Sequence, residues 1–346
     1  MSTIERTEDA AAAAEAAPAA DTTAAAADAS LPTMRAVVAD GWGGPEVLRE
    51  RDLPRPAPGP TEIAVAVHAA GVNPVDWFSR STGGFGLWAE PPVIGWDVSG
   101  VVTAVGPGAS LHRVGDEVYG LPRFPHQAGA YAEVVVAPSR QFAPKPAALS
   151  HVEAAALPLA GLTAWQALAE VARVQPGQRV LVHAAGGGVG HIAVQLAKAL
   201  GAEVIGTASA AKHAWLRELG ADQLIDHATS DFAAELRDVD VVLDTRGGDY
   251  AARSLDVLRD GGTLVSINNP GEPGAEVAAA AAARGIATGF TLVEPDRHGL
   301  LELARLVEAG RLRPAIAATF ALAEAGRAHQ LGEQGRTAGK IVLTVR

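Results

Sequence analysis

Residues 180–208 read VLVHAAGGGVGHIAVQLAKALGAEVIGTA, two apolar runs separated by three consecutive glycines within the length of one strand–helix–strand unit. Glycine has no side chain, so such a run lets another group come against bare backbone. Set against the pattern G-x-G-x-x-G, Ala185-Gly186-Gly187-Gly188-Val189-Gly190 has alanine in the first place and glycine in the second and third. Gly187 lets a pyrophosphate approach the main chain, Gly190 lets helix and strand pack closely, and a helix starting near Val189 presents free amides and a positive dipole end. A tight strand–helix turn without a ligand shows the same glycines. Here, however, the run follows a strand, opens an amphipathic helix and belongs to a chain with at least four more strand–helix units, the context of a dinucleotide site.

The end of the second strand selects among dinucleotides. An acidic residue about twenty positions beyond the glycines binds the ribose hydroxyls of NAD. This chain reads GTASAAKH there, and its nearest acid, Glu203, lies at the opposite end of the strand. Ser209 and Lys212 place a hydroxyl and a cation where a 2′-phosphate would lie, with no carboxylate to repel it. The expected cofactor is therefore NADPH, the alternative for Lys212 being an ordinary solvated lysine.

These residues need elements to position them. From Thr33 onward short runs such as MRAVVAD, TEIAVAVHAAGVNP, VSGVVTAVGPG and YAEVVVAP alternate in polarity between Gly/Pro turns, the texture of a small β-barrel or sandwich. Ser150 and Glu153 are spaced as a capping box and open a helical stretch. Beyond it strands and helices alternate through GGTLVSI, which predicts a parallel, doubly wound sheet with its ligand beyond the carboxyl ends of the strands. SINNPGEPGAEVAAAAAARG reads as a loop and an Ala-rich helix, and the terminal GKIVLTV reads as a strand returning to the first sheet.

Composition narrows the classes. The 346 residues suit two domains, and 48% are hydrophobic. There are 28 basic and 39 acidic residues and no dense basic block, so neither a nucleic acid nor an anionic membrane is an expected partner. With no cysteine, disulfides, thiolate nucleophiles and cysteine zinc sites are excluded. Residues 1–32 form an acidic, Ala-rich, low-complexity stretch without a basic leader, which predicts a flexible tail on a cytoplasmic protein. No run of about twenty apolar residues reads as a membrane span.

The segments AGVNPVDWFSR, GWDVSGVVTAVG, VGDEVYGL, GAYAEVVVAP, LPLAGLTAWQAL, HAAGGGVGHIAVQLAKALGA, LDTRGGD and GKIVLTV, in this order, resemble the medium-chain dehydrogenase/reductase superfamily. The resemblance is to its zinc-free, NADPH-dependent quinone oxidoreductase and enoyl reductase branch. It implies an α/β fold with a GroES-like β-barrel catalytic domain (residues 33–155 and 293–346) and a Rossmann cofactor domain (156–292), commonly as a homodimer. Zinc-dependent members carry a cysteine and a His-Glu pair where this chain has Asn73 and Trp96-Asp97, so no metal is expected. Without a Lewis acid to polarise an alcohol or aldehyde, hydride transfer to an activated acceptor, a quinone or an α,β-unsaturated carbonyl, is the fitting chemistry.

Such a transfer needs a donor for the developing oxyanion. The resemblance points to Asn73, which alternatively makes an Asx-type turn before Pro74. Tyr131 is a candidate proton donor or a packed aromatic. Trp77, Phe85, Trp88 and Trp96 are candidate walls of an acceptor pocket. His183 and His191 flank the glycine loop in packing roles. Carried over by resemblance are Thr163 near the nicotinamide, His227 by the adenosine phosphate, Thr245 near the adenine, Ile267 and Asn268 near the carboxamide, and Phe290 and Lys340 closing the cleft. A non-catalytic NADPH-binding protein, or an enzyme using the same cleft for non-redox chemistry, would carry the same motifs.

Overall fold

The computed structural model describes residues 32–268, 271 and 273–346. The tail expected over residues 1–32 therefore lies outside the described residues except for Pro32. The alternating runs of the first part form β1 (Thr33–Ala39), β2 (Leu48–Pro54), β3 (Glu62–Val72), β4 (Val98–Val105), β5 (Glu117–Gly120), β6 (Val134–Pro138) and β7 (Phe142–Pro144). Of these, β3 loses its alternation because it is central: β4 pairs along one edge, and β6 takes the first half of the other. Covered on both faces, nearly all its residues are buried.

Ser150 and Glu153 make the capping box, the Ser150 amide donating to the Glu153 carboxylate at 3.0 Å and the Glu153 amide to Ser150 Oγ at 3.2 Å. The stretch after it breaks into His151–Ala155, a second helix opened by Pro158 (Pro158–Trp165) and a π-helical turn, Gln166–Val171. Pro158 has no N–H to continue the first helix. The second helix is apolar all round and buried throughout its first seven residues.

The doubly wound sheet holds β8 (Arg179–Val182), β9 (Glu203–Ala208), β10 (Gln223–Asp226), β11 (Val239–Asp244), β12 (Leu258–Ser266) and β13 (Ala287–Phe290). All are parallel, in the order β10-β9-β8-β11-β12-β13. The order reverses between β8 and β11, where this architecture leaves a crevice beyond the carboxyl ends of the strands. The chain then returns through helix Arg297–Glu308, β14 (Ile316–Ala321) and β15 (Lys340–Thr344). As the sequence predicts, β15 joins the first sheet, antiparallel to β3 with Ile341 opposite Val72 and Thr344 opposite Ala69.

The glycine run leaves β8 through Ala184, at φ 45°, and enters helix Gly190–Ala199. A Cβ on Gly190 would lie 2.3 Å from the Ala184 carbonyl oxygen and 2.8 Å from Ala185 Cα, so close packing of helix on strand requires glycine there. Gly190→Ala is expected to cost about 1–3 kcal/mol, as overpacking does. The shift of the denaturant midpoint measures it, and an unchanged midpoint would mean that the helix can move away freely.

Candidate active site and cofactor cleft

The glycine loop is held from below. The Ala185 amide donates to the Thr207 carbonyl on β9 at 2.9 Å and the Ala184 amide to Thr207 Oγ1 at 3.2 Å. His191 fastens the other side. Its Nε2 accepts from the Ala315 amide at 3.1 Å, which leaves the proton on Nδ1 to donate to the Gly187 carbonyl at 2.8 Å. Burial pulls the His191 pKa down to about 4, so the ring is a neutral brace. The amides of Gly188 and Val189 have no partner among the described residues, although Gly188 and Val189 stand half-exposed at a helix start. Unpaired donors on bare backbone at a helix N-terminus fit a phosphate.

Lys212 lies across this loop. Its stem covers Gly186, with Cδ 2.5 Å from where a Cβ would stand, and Nζ donates to the Thr337 carbonyl at 2.9 Å, with the Gly186 carbonyl at 3.5 Å. Burial lowers its pKa, and no carboxylate pairs with it among the described residues. A half-buried cation held by carbonyl dipoles alone keeps its affinity for an anion. Ser209 sits three residues before it, partly exposed at the head of the turn Ala210–Lys212.

Residues 337–340 cross over the same loop. The Gly339 amide reaches the Gly186 carbonyl at 3.3 Å, and Lys340 Cδ is 3.3 Å from the position of a Cβ on Gly188. Lys340 is only 2% exposed. Its ammonium turns toward the barrel, donating to the Val72 carbonyl at 3.0 Å and to Asn73 Oδ1, with Asp97 Oδ2 at 3.4 Å. Asn73 and Asp97 are equally buried. Asn73 Nδ2 donates to Asp97 Oδ2 at 2.8 Å, while Asp97 Oδ1 accepts the Leu159 amide at 2.6 Å, at the positive end of helix Pro158–Trp165. The Asn73 side chain therefore bridges a cation and an anion beside the glycine loop. The backbone of the same residue starts helix Pro74–Thr82, its amide donating to Asp76 at 2.6 Å.

A model of the alcohol dehydrogenase GroES-like domain matches residues 59–147, and one described as zinc-binding dehydrogenase matches residues 219–343. The quinone oxidoreductase of Coxiella burnetii superposes with a TM-score of 0.85 at 39% identity, over 91% of this chain and all of that one. The mouse protein named NAD(P)H oxidoreductase RTN4IP1, mitochondrial, is 33% identical over 90% of this chain and 89% of its own length. The chain belongs to the medium-chain dehydrogenase/reductase superfamily. Its structural neighbours also include the CurK enoyl reductase, with a TM-score of 0.81 at 29% identity over 91% of this chain and all of that one. The chain spans only 5–13% of the length of the polyketide synthases that it matches at 37–39% identity.

Of the carried-over residues, Thr245, Ile267, Asn268, Phe290 and His227 stand at or just beyond the carboxyl ends of the parallel strands. Thr245 Oγ1 donates to the His183 carbonyl at 2.7 Å, the Ile267 amide to the Asp244 carbonyl at 3.1 Å, and Asn268 Nδ2 to the Arg246 carbonyl at 2.8 Å. Phe290 ends β13, and His227 is exposed in the turn after β10. Thr163 is buried, its hydroxyl donating to the Leu159 carbonyl at 2.7 Å. His183 is packed between Phe232 and Tyr250, with hydroxyls on both nitrogens, and burial pulls its pKa down to about 3. Among the described residues no helix is long and apolar enough to cross a membrane.

Three of the four candidate pocket aromatics lie together. A run of rings goes from Trp42 through Trp88, Trp96 and Phe124 to Phe85, with successive centroids 5.8, 5.6, 5.3 and 5.8 Å apart. Trp77 stands elsewhere, against Gly332 and edge-on to His329 at 6.2 Å. Phe124 also lines a groove of about 660 Å3 facing Leu292 and Val293, just beyond β13. Trp42 and Phe124 carry no motif, and only the fold joins them to the run.

Tyr131 is buried and linked to Asn73 through Asp76. Its hydroxyl lies 3.0 Å from Asp76 Oδ2 and 3.1 Å from His329 Nε2. Arg80, which can only donate, reaches His329 Nδ1 at 3.4 Å and Glu333 at 2.5 Å. The chain of donors therefore runs Arg80, His329, Tyr131, Asp76. It ends on a buried carboxyl whose Oδ1 has no partner among the described residues. Burial raises the Asp76 pKa to about 7; Asp97 adds to the rise, while the Asn73 amide, Lys340 and Tyr131 oppose it. The folded protein therefore keeps a proton that the unfolded chain releases near its ordinary carboxyl value. This stabilisation is complete below about pH 4 and is lost as pH rises through 7. Asp76→Asn, isosteric with the protonated acid, should remove the dependence. Between pH 5 and pH 8 the parent should lose on the order of 2–3 kcal/mol relative to the variant in denaturant titrations. Parallel pH profiles would contradict an Asp76 that titrates near neutrality.

Proposed function

We propose that this chain is an NADPH-dependent oxidoreductase that reduces a quinone or an α,β-unsaturated carbonyl without the help of a metal ion. The observation that carries the reading is the combination at one crevice of two loop amides without a partner among the described residues, a second strand ending without an acid, and a lysine with no counter-ion among those residues. The amides of Gly188 and Val189 would hold the pyrophosphate, and Ser209 and Lys212 the 2′-phosphate. Thr163, His227, Thr245, Ile267, Asn268 and Phe290 would contact the rest of the dinucleotide. The cofactor supplies a hydride. Where zinc-dependent members carry ligands, this chain has Asn73, Trp96 and Asp97, and both Asp97 oxygens already accept hydrogen bonds within the protein. Asn73 presents an amide N–H to the oxygen that gains negative charge. Tyr131 is buried and engaged with Asp76 and His329, which favours solvent as the proton source. Phe85, Trp88 and Trp96 form the apolar wall of the acceptor site. By the same reading the protein is cytoplasmic, with residues 33–155 and 293–346 forming the catalytic domain and 156–292 the cofactor domain. A homodimer would form through the edge strand β13.

NADPH oxidation against a panel of quinones and enones tests this reading. Turnover of at least one class is expected, whereas tight NADPH binding with no turnover on any acceptor would identify a cofactor-binding protein instead. Lys212→Ala should weaken NADPH binding by about 10–100-fold, the loss of one charge-assisted contact, and leave NADH almost unaffected. Equal losses for both cofactors would place the 2′-phosphate elsewhere.

A further inference from the structure

The buried triad of Lys340, Asn73 and Asp97 has more charge than packing requires. A lysine and an aspartate with almost no exposure cost several kcal/mol each to desolvate, and their 3.4 Å separation is long for a pair that must repay that cost alone. The Asn73 carboxamide lies between them, its oxygen on the cation and its nitrogen on the anion. An amide bound in this way is held in one rotamer with its oxygen and nitrogen unambiguously assigned, since a flip would put NH2 against the ammonium and a carbonyl against the carboxylate. The cation on its oxygen and the anion on its nitrogen also polarise it in the same sense, toward the dipolar form whose N–H is a stronger donor. One Nδ2 hydrogen goes to Asp97, and the second has no partner among the described residues.

We propose that Lys340 is a positioning residue: with Asp97 it clamps and polarises the Asn73 carboxamide so that the second Nδ2 hydrogen is a fixed donor to the reacting oxygen of the acceptor. This rests on the reading of Asn73 given above. It turns Lys340 from a residue that closes the cleft into one that controls Asn73. Lys340 also lies against Gly188, so one side chain links the loop that would hold the cofactor to the group that would receive the developing charge.

Lys340→Met alone would strand a buried carboxylate, so the informative variant is K340M/D97N, which removes both charges and keeps a hydrogen-bonding group at position 97. With NADPH and 1,4-benzoquinone, K340M/D97N should keep its NADPH Kd within about threefold of the parent and lose at least about tenfold in kcat, the scale of a misplaced catalytic group. Asn73→Ala should lose as much, and adding it to K340M/D97N should cost little more. Losses that multiply, or a loss in Kd instead of kcat, would overturn the assignment. A readout independent of turnover uses the three asparagines of the sequence, Asn73, Asn268 and Asn269. In 15N-asparagine-labelled protein, the Asn73 carboxamide pair should be shifted and protected from solvent exchange, and K340M/D97N should abolish both effects, the added asparagine being assigned from D97N alone. An Asn73 pair that does not change overturns the clamp. Failure of the parent to reduce any acceptor would instead sink the proposed function, and the labelled spectrum would still decide the role of Lys340.

Discussion

A lysine ammonium buried between two sheets has to be compensated, and this requirement shapes the middle of the molecule. Lys340 is the first residue of β15, and its partners are Val72, which ends β3, and Asn73, which follows it, 268 and 267 positions earlier. Asp97 supplies the opposite charge from the segment leading into β4, and it is in turn fixed by the first turn of helix Pro158–Trp165. Gly71 makes room for it, since a Cβ there would lie 2.4 Å from Asp97 Oδ2. The barrel and helix Pro158–Trp165 are thus tied by one charged cluster, and neither could shift alone without leaving a buried charge poorly paired, while the Lys340 stem lies against the glycine loop.

Much of the fold is legible in the order of the residues. Period-two runs, Gly/Pro turns and strand–helix alternation read as the two sheets they form, and the returning terminal strand pairs with β3. These are local signals or end-to-end patterns, and burial enforces them. β3 is less legible, because both of its faces are buried, including positions that an alternating pattern would leave in water. The break at Pro158 and the π turn after it divide what reads simply as a helical stretch.

The site was legible in part. The glycine loop is legible because three consecutive glycines between a strand and a helix form a local pattern. Lys212 reads from its spacing as a cation at the end of the second strand. Its contact with Thr337, 125 positions away, could not be read. The same holds for Asn73. Its sequence neighbours suggest a local turn or a catalytic amide, whereas its partners come from Asp97 and Lys340. Tyr131 looks like an isolated aromatic until His329 and Arg80 arrive from helices distant in sequence. Polar networks of this kind depend on which faces meet, and single residues carry no mark of that.

The pairing of β3 with β15 has a consequence for how the molecule is made. Val72 must find Ile341 across an intervening chain that contains the whole six-stranded parallel sheet. Closing so long a loop is slow, whereas the strand–helix units between are built from near neighbours. During synthesis the parallel sheet can form while β3 still lacks its partner along half of one edge, leaving the amides and carbonyls of residues 69–72 uncovered. For that interval the parallel sheet is complete while part of one β3 edge stays open, and the arrival of Lys340–Thr344 is the step that closes it.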